Sequence, residues 1–322
     1  MAAAWDAYAP EIVDLRQIKP GELDPLLDEE AELWQRHLDW DFTSAAALVR
    51  KFTAMQALHG SVMMLNRVPI GYAYFVIDER KGIIGDLFVS EPYTSAANET
   101  LLLSSVMDKM LSFNYIRRVE SQLLMMRYQR RIPPPFADSL QIYDRNFMVA
   151  DLPRGHSLPP GRAAAKVNIL GWNIKYQEDV SRLISAAYRG HVDSNINDQY
   201  RSISGARKFL MNIVQYPGCG SFFQPASWIA WDRATGRILG VSMASLVSPT
   251  TGHITQICVM PNVKGGGVGY ELIRSSLQSF AEHGCKKATL TVTSINQDAI
   301  RLYQKVGFRT LRQFSAMVWD GF

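Results

Sequence analysis

Four glycines fall within five positions of the segment VMPNVKGGGVGYELI, at 265, 266, 267 and 269. The first turn of a helix leaves backbone N–H groups without partners, and the helix macrodipole makes that end positive. Glycine permits unusual backbone angles and lets those N–H groups approach a phosphate without a Cβ in the way. A plain turn with a glycine helix cap would need only one or two of them. With Lys264 leading them, the glycines predict an anion-binding loop.

The loop matches neither of the common nucleotide-binding motifs. A Walker loop needs GxxxxGK[ST], which the sequence does not contain. The dinucleotide motif GxGxxG, begun at Gly265 and Gly267, requires a third glycine where Tyr270 stands. Both nucleotide interpretations are therefore excluded.

A second segment, NQDAIRLYQKVGF at 296–308, follows about 30 residues after the loop. Together the two segments resemble the GNAT acetyltransferase superfamily, whose loop reads [QR]-x-x-G-x-[GA] and whose later segment reads N-x-x-A-x-x-[LF]-Y-x-x-x-G-F. Lys264 stands where the family usually has Gln or Arg. The later segment matches at Asn296, Ala299, Leu302, Tyr303, Gly307 and Phe308. The resemblance covers roughly residues 167–320.

This resemblance implies an enzyme in which an acceptor amine attacks the thioester of acetyl-CoA directly, while the protein positions the two reactants. It implies that the strand edge at Ile257, Cys258 and Val259 pairs with the pantetheine amides, because two strands of this fold splay apart there. It also implies that the loop amides hold the diphosphate of the cofactor. These loop residues are Lys264, Gly265, Gly266, Gly267, Val268 and Gly269.

Asn296 and Tyr303 are seven residues apart, which places them on one face of a helix. The resemblance implies that Asn296 lies at the cofactor site and that Tyr303 protonates the departing thiolate. A phenol suits this role because phenol and thiol pKa values lie within about two units. The alternatives are that Asn296 only caps the helix and that Tyr303 is a core residue with a satisfied hydroxyl.

The base that deprotonates the amine is less well defined. Some family members use a carboxylate on the fourth strand, but the corresponding segment HITQICV at 253–259 has none. Strand alternation predicts that His253 shares a face with Ile257 and Val259. His253 has a suitable ordinary pKa and is the candidate base, although it is alternatively an ordinary polar residue at a strand start.

The acceptor site of this fold is usually built from the first two helices and their loop, here about 180–214. Within this stretch, carboxylates would pair with the charge of an amine. The candidates are Tyr188, His191, Asp193 and Asp198, and a solvated loop is the alternative.

The elements that must position these residues recur in the two halves of the chain. A meander of three strands is predicted in each half, at 61–66, 70–78 and 83–89 and at 227–232, 237–247 and 253–259. An amphipathic helix follows each meander, at 99–113 and 270–284, and a further strand follows each helix, at 118–126 and 287–294. The first half has YTSAAN in place of the glycine-rich loop.

Residues 151–166, rich in Pro, Gly, Arg and Ala, are typical of a linker. We therefore predict a GNAT-like domain at 1–152 without the diphosphate loop, a linker at 153–166, and an acetyl-CoA-binding GNAT domain at 167–322. The predicted fold class is α/β (α+β), with two GNAT folds in tandem. Each would have a mixed, mostly antiparallel sheet flanked by helices.

Composition excludes several other classes of protein. With 322 residues, 47% hydrophobic and 20% charged, the chain is neither disordered nor fibrous. No apolar run approaches the roughly 18 residues that span a bilayer, so no membrane contact is expected. The cysteines at 219, 258 and 285 form no CxxC pattern. We therefore expect no metal site and a cytoplasmic location.

A net charge of +4 gives no strong attraction to nucleic acid, which is not an expected partner. A basic cluster in the first half favours a charged surface, with nucleic-acid binding as the alternative. Its members are Arg117, Arg118, Arg127, Arg130 and Arg131.

The predicted function is transfer of an acetyl group from acetyl-CoA to a primary amine of a small molecule or peptide. One alternative in the same class is a tandem enzyme like mycothiol synthase, although no motif selects it. An alternative from another class is a non-catalytic acyl-CoA sensor, since the strand lacks a carboxylate base.

Overall fold

The computed structural model describes residues 9–126, 133–216 and 218–322. The first eight residues and the predicted basic residues Arg127, Arg130 and Arg131 lie outside these ranges. The chain divides into two compact units. The first contains the described residues up to Leu38 with Phe42–Asp144 and Phe314–Phe322, and the second contains Asp39–Asp41 and Arg145–Gln313.

Runs of helices and runs of strands follow one another along the described residues. The helices are α1 (Asp24–Leu38), α2 (Thr43–Ala54), α3 (Ala96–Leu111), α4 (Gln177–Ala187), α5 (Asp193–Ile196), α6 (Ile203–Gln215), α7 (Val268–Glu282) and α8 (Gln297–Lys305). The strands are β1 (Glu11–Asp14), β2 (His59–Leu65), β3 (Val68–Asp78), β4 (Lys81–Val89), β5 (Arg118–Gln122), β6 (Leu140–Asp151), β7 (Val167–Gly171), β8 (Ser221–Phe222), β9 (Trp228–Asp232), β10 (Ile238–Ser248), β11 (Thr251–Val259), β12 (Lys287–Thr293) and β13 (Arg309–Asp320). The strands of both predicted meanders, the helix after each and the strand after that are confirmed.

The second unit is built on a sheet with strand order β6-β12-β11-β10-β9-β7, and β8 pairs with β10. Its pairings are antiparallel except for the parallel pair β11 and β12. The apolar side of α7 covers this sheet. Its residues Leu272, Ile273, Leu277 and Phe280 are each 0% exposed, and burying each contributes about 1.5–3 kcal/mol.

The first unit repeats this arrangement in the order β1-β2-β3-β4-β5-β13. Again one neighbouring pair, β4 and β5, is parallel and the rest are antiparallel. In α3 the apolar residues Leu102, Val106 and Met110 are buried. The predicted fold class, with two mixed and mostly antiparallel sheets flanked by helices, is confirmed.

Each sheet is completed by a strand from the other half of the sequence. In β6, the residues from Arg145 to Asp151 belong to the second unit and pair with β12. In β13, the residues from Phe314 belong to the first unit and pair with β5. The units therefore do not follow the sequential division 1–152 and 167–322. The predicted linker 153–166 lies wholly within the second unit.

The location of Arg118 differs from the predicted one, which was an exposed basic surface. Its side chain is only 6% exposed, and its Nε donates to Glu120 Oε1 at 2.7 Å. A second bond joins it to Asp320 at the end of β13. Arg118 therefore belongs to an internal ion-pair group of the first unit, whereas Arg117 is exposed.

A buried carboxyl pair lies between α1 and the sheet of the first unit. Glu30 of α1 and Asp86 of β4 are hydrogen-bonded to each other and buried. Tyr72 Oη donates to Glu30 Oε2 at 2.5 Å, and Trp34 Nε1 donates to Glu30 Oε1 at 3.0 Å. Burial raises the pKa of Glu30 well above its ordinary range and the pKa of Asp86 to about 6. The pair therefore holds a proton at mildly acidic pH.

We expect Asp86→Asn to remove a pH dependence of stability. An unfolded aspartate releases its proton near pH 3.9, whereas folded Asp86 keeps it until about pH 6. Stability therefore falls as pH rises through this interval, by roughly 2 kcal/mol, and asparagine cannot ionise. Denaturant unfolding between pH 4.5 and 8 measures this, with exposed Asp108→Asn as the control. An equal decline in Asp86→Asn and wild type would contradict the assignment.

Candidate active site

Strands β11 and β12 pair only over their first halves. Their last paired residues are Ile254 and Leu290, while β11 continues beside β10 as far as Val259. In the described part of the chain, no strand pairs with the remaining edge of β11 on the side of β12. Ile257, Cys258 and Val259 lie on this edge and are partly exposed. An extended ligand with amide groups can add to such an edge as a substitute strand.

The glycine-rich loop connects β11 to α7 and leaves several backbone amides open. Gly265 has φ +72° and Gly267 has φ +97°, backbone angles that residues other than glycine rarely adopt. Gly267 is the N-cap of α7, and no side chain caps the helix. Within the described ranges, the N–H groups of Gly265 and of the four residues from Gly267 to Tyr270 have no hydrogen-bond acceptor. Together with exposed Lys264, they form a positively polarised surface suited to an anion.

The corresponding helix of the first unit, α3, has its N-terminus capped by a side chain. Ser95 Oγ caps α3 by accepting from the backbone N–H of Asn98 at 3.1 Å. The side-chain amide of Asn98 donates to the Tyr93 carbonyl at 2.7 Å. Strands β4 and β5 splay as β11 and β12 do, since their pairing ends at Ile84 and Ser121. The two units thus share the splay but differ in the loop.

Helix α8 lies beside the loop through Leu302. A Cβ added at Gly269 would lie 3.4 Å from Leu302 Cδ2, next to Tyr303. Asn296 Oδ1 accepts from the Ala299 N–H at 3.4 Å, so the alternative that Asn296 caps this helix is observed. Its side-chain amide also faces the imidazole of His191 at 3.3 Å.

Tyr303 is 7% exposed, and its hydroxyl has no hydrogen-bond partner among the residues that the structure describes. Burial raises the pKa of Tyr303, and the neighbouring Asp193 and Cys258 raise it further. The phenol is therefore protonated at neutral pH, as a general acid must be. The same burial raises the pKa of the Cys258 thiol to about 12.

Asp193, a candidate for amine recognition, lies at the start of α5 beside the end of β12. Thr293 Oγ1 donates to Asp193 Oδ1 at 2.5 Å. The Asp193 backbone N–H donates to His191 Nδ1 at 3.1 Å. Asp198, the other candidate carboxylate, starts the short 3-10 helix Asp198–Arg201. The structure therefore brings His191, Asp193 and Asn296 together.

His191 is neutral in this arrangement. Burial lowers its pKa, with Asp193 opposing and Lys264 reinforcing the effect. Its Nδ1 accepts a hydrogen bond from the Asp193 backbone N–H, and its Nε2 faces the side-chain amide nitrogen of Asn296. Both ring nitrogens therefore face N–H groups of the protein, and the imidazole positions the residues around it.

A polar group of which the sequence analysis singled out only Tyr188 lies behind the β11 edge. Gln256 Nε2 donates to Tyr188 Oη at 2.9 Å, and Tyr200 Oη donates to Gln256 Oε1 at 3.3 Å. The rings of Tyr188 and Tyr200 stack with centroids 4.3 Å apart. Burial raises the pKa of both tyrosines. The sequence signal for this group was the side-chain amide of Gln256 within the largely apolar strand segment. Its partners Tyr188 and Tyr200 lie more than 50 residues away in the sequence.

The structure places His253 in the interior of the second unit. It is 4% exposed, and its Nδ1 lies 2.9 Å from Thr289 Oγ1. The rings of Trp40 and Phe147 lie 5.1 Å and 6.2 Å from its own. Burial lowers its pKa to about 3, so the ring is neutral and enclosed.

The prediction that His253 shares a face with Ile257 and Val259 is wrong. The pairing of β11 with β10 shifts register at Thr255, which is an extra residue in β11. Such a bulge reverses the alternation of side chains beyond it. Ile254, not His253, joins Ile257 in the apolar cluster of α7.

Two further observations concern membranes and metals. None of the described helices is long and apolar enough to cross a membrane. Across the described residues, no three His, Cys, Asp or Glu side chains converge as metal ligands would.

Residues 198–308 match the model of the Acetyltransferase (GNAT) family. The matched region contains the splayed edge of β11, the glycine-rich loop and Tyr303. The match covers about a third of the chain and lies wholly within the second unit.

Local sequence similarity extends to curated acetyltransferases. The chain is 27% identical over 99 residues to a mycothiol acetyltransferase from Saccharomonospora viridis, covering 28% of this chain and 32% of that protein. It is 32% identical over 57 residues to the N-alpha-acetyltransferase MAK3 from Arabidopsis thaliana, covering 18% of this chain and 30% of that protein. The matches thus span about a third of the length of these relatives.

Solved structures resemble the whole chain in fold. A GCN5-related N-acetyltransferase from Sphaerobacter thermophilus aligns with a TM-score of 0.68 at 13% identity, covering 96% of this chain and 95% of that one. A tandem GNAT protein from the clavulanic acid biosynthesis pathway aligns with a TM-score of 0.61 at 14% identity, covering 97% and 98%. At these identities the likeness shows the fold alone, which is two GNAT folds in tandem.

Proposed function

We propose that this chain transfers an acetyl group from acetyl-CoA to a primary amine of a small molecule or peptide. The observation that carries the proposal is the set of open amides at Gly265 and from Gly267 to Tyr270, beside the unpaired edge of β11. An anion surface next to a free strand edge suits a ligand with a diphosphate followed by amides. We place this site in 167–322 and none in 1–152, because Ser95 closes the corresponding helix.

In the proposed reaction, the amine nitrogen bonds to the thioester carbonyl carbon and the carbon–sulfur bond breaks. Tyr303 donates its phenolic proton to the sulfur and regains one from the nitrogen through solvent. The backbone edge from Ile257 to Val259 and the amides from Lys264 to Gly269 align the reactants, which supplies most of the rate gain. Asn296 maintains this geometry as the cap of α8.

We propose Asp193 as the carboxylate that holds the acceptor ammonium group and takes its proton through water. β11 has no carboxylate, and His253 is enclosed by Trp40 and Phe147. Asp193 lies close enough to Tyr303 to raise the pKa of that phenol. A carboxylate at this position attracts the positive charge of an approaching ammonium group.

An acceptor screen with acetyl-CoA, monitoring released thiol, tests the proposal. We expect turnover with at least one primary amine and a KM for that amine raised about tenfold in Asp193→Asn, since charge-assisted hydrogen bonds contribute about 1.5–3 kcal/mol. Asp298→Asn, at an exposed carboxylate of α8, is the control. If acetyl-CoA binds but no amine releases CoA, the chain is an acyl-CoA sensor and not an enzyme.

A second candidate function is acetylation of an amine precursor of mycothiol. It is favoured by similarity to three mycothiol acetyltransferases, at 27%, 28% and 29% identity. The screen should therefore include this amine beside simple amines and peptide N-termini. A kcat/KM for the mycothiol precursor no higher than for the others would reject this candidate.

We propose the cytoplasm as the compartment, with no nucleic acid, membrane or metal needed for the reaction. The proposal is supported by three free cysteines, of which Cys285 is buried.

A further inference from the structure

The segment from Pro159 to Ala163 lies across the first turn of α7. Tyr270 Oη donates to the Pro159 carbonyl at 2.8 Å, and the Gly161 N–H donates to Glu271 Oε1 at 2.5 Å. Ala163 is 2% exposed and joins the same apolar cluster as Val268 of α7. The segment is thus fixed to the helix at both ends.

Gly161 lets the backbone approach the helix directly. A Cβ added there would lie 2.5 Å from Tyr270 Cδ1 and 2.8 Å from Glu271 Oε1, closer than these atoms can accept. Glu271 is buried and also pairs with Arg274 at 3.0 Å. The position of the next residue, Arg162, is therefore determined by packing.

Arg162 lies over the open end of α7. A Cβ added at Gly267 would lie 2.9 Å from Arg162 Cγ and 3.4 Å from its Nε. The side chain is exposed, and neither Arg162 nor Lys264 has an ion pair within the described ranges. A cation at a helix N-terminus is electrostatically unfavourable, because that end of the macrodipole is already positive. The arrangement therefore lacks a negative charge that a bound anion would supply.

We propose that Arg162 forms an ion pair with the diphosphate of bound acetyl-CoA, opposite Lys264. This inference rests on the proposed function. A guanidinium donates two parallel N–H groups to phosphate oxygens, whereas a lysine acts as a point charge. Lys264 replaces the Gln or Arg expected in the loop, and Arg162 supplies a planar donor from outside the region that matches the family.

Calorimetry of Arg162→Gln with CoA, dephospho-CoA and pantetheine tests the contact. Dephospho-CoA keeps the diphosphate but lacks the 3′-phosphate, and pantetheine lacks both. We expect CoA and dephospho-CoA to bind about 10- to 100-fold more weakly than to wild type, the range of one lost charge-assisted bond. Pantetheine should bind equally to both proteins. Arg162→Lys should recover part of the loss.

Arg154→Gln is the matched control, since Arg154 is an exposed arginine of the same predicted linker, 153–166. It should bind all three ligands as wild type does, with the same melting temperature. Unchanged CoA affinity in Arg162→Gln overturns the proposal. If Arg162→Gln weakens the binding of CoA but not of dephospho-CoA, the proposal is overturned as well, because Arg162 would then contact the 3′-phosphate. If the wild type binds none of the three ligands, it is the proposed function that fails.

Discussion

Gly267→Val is expected to weaken acetyl-CoA binding by about 100-fold or more, because it disturbs more than one charge-assisted hydrogen bond to the diphosphate. Gly267 has φ +97°, and a side chain there would meet Arg162 Cγ at 2.9 Å. A branched side chain would therefore shift the N-cap of α7 and displace Arg162. Both changes remove donors from the proposed diphosphate site. Calorimetric titration with acetyl-CoA measures the effect.

Backbone strain must be separated from the loss of the site. Gly284, just beyond the other end of α7, also has a positive φ of +86°, and no atom lies within 4 Å of an added Cβ. Gly284→Val thus carries a similar conformational penalty without touching the loop. It should lower the melting temperature as Gly267→Val does but bind acetyl-CoA normally. Full affinity in folded Gly267→Val would mean that the diphosphate lies elsewhere.

Tyr303→Phe is expected to lower kcat by about 100-fold and to change the KM for acetyl-CoA by less than about threefold, as for loss of a general acid. The leaving thiolate needs a proton in a buried setting, where the Cys258 thiol has its pKa raised to about 12. The pKa of Tyr303 is also raised, so burial shifts the pKa of the proton donor in the same direction as the pKa of a buried thiol. Steady-state kinetics with the best amine from the screen measures both constants.

Tyr200→Phe serves as the control, since it removes another buried hydroxyl near Asp193 but none with the proposed role. We expect its kcat to stay within about fivefold of wild type, because Tyr200 only donates to Gln256. Since the raised pKa keeps Tyr303 protonated, the wild-type rate should show no alkaline loss below about pH 10. Equal kcat values for Tyr303→Phe and wild type would remove Tyr303 as the acid.

Elements with a local periodic signal were predictable from the sequence. Strand β10 and helix α7 have short repeating apolar patterns, and the structure places both where those patterns predict. The glycine-rich loop was also predictable, because its chemistry is contained in consecutive residues. Its open amides are confirmed by the structure, whereas its role with acetyl-CoA stays a prediction.

Features that depend on distant residues were not predictable. The bulge at Thr255 has no sequence signature in HITQICV, and it reversed the expected face of His253. The proximity of Asp193 to Tyr303 joins positions 110 apart in the sequence, which no local pattern encodes. The position of Arg162 was not predictable either, because its sequence is typical of a linker but its side chain lies next to Gly267 at the start of α7.

The exchanged ends of β6 and β13 constrain how the protein is made. The first unit needs Phe314–Phe322, which a ribosome synthesises after the residues of the second unit. Until those residues are made, the edge of β5 from Arg118 to Gln122 has no β13 partner, so the first unit cannot finish folding before the second has been synthesised. Cleavage between residues 153 and 166 would likewise not yield two self-sufficient fragments. Each unit thus depends on residues from the other half of the sequence to complete its sheet.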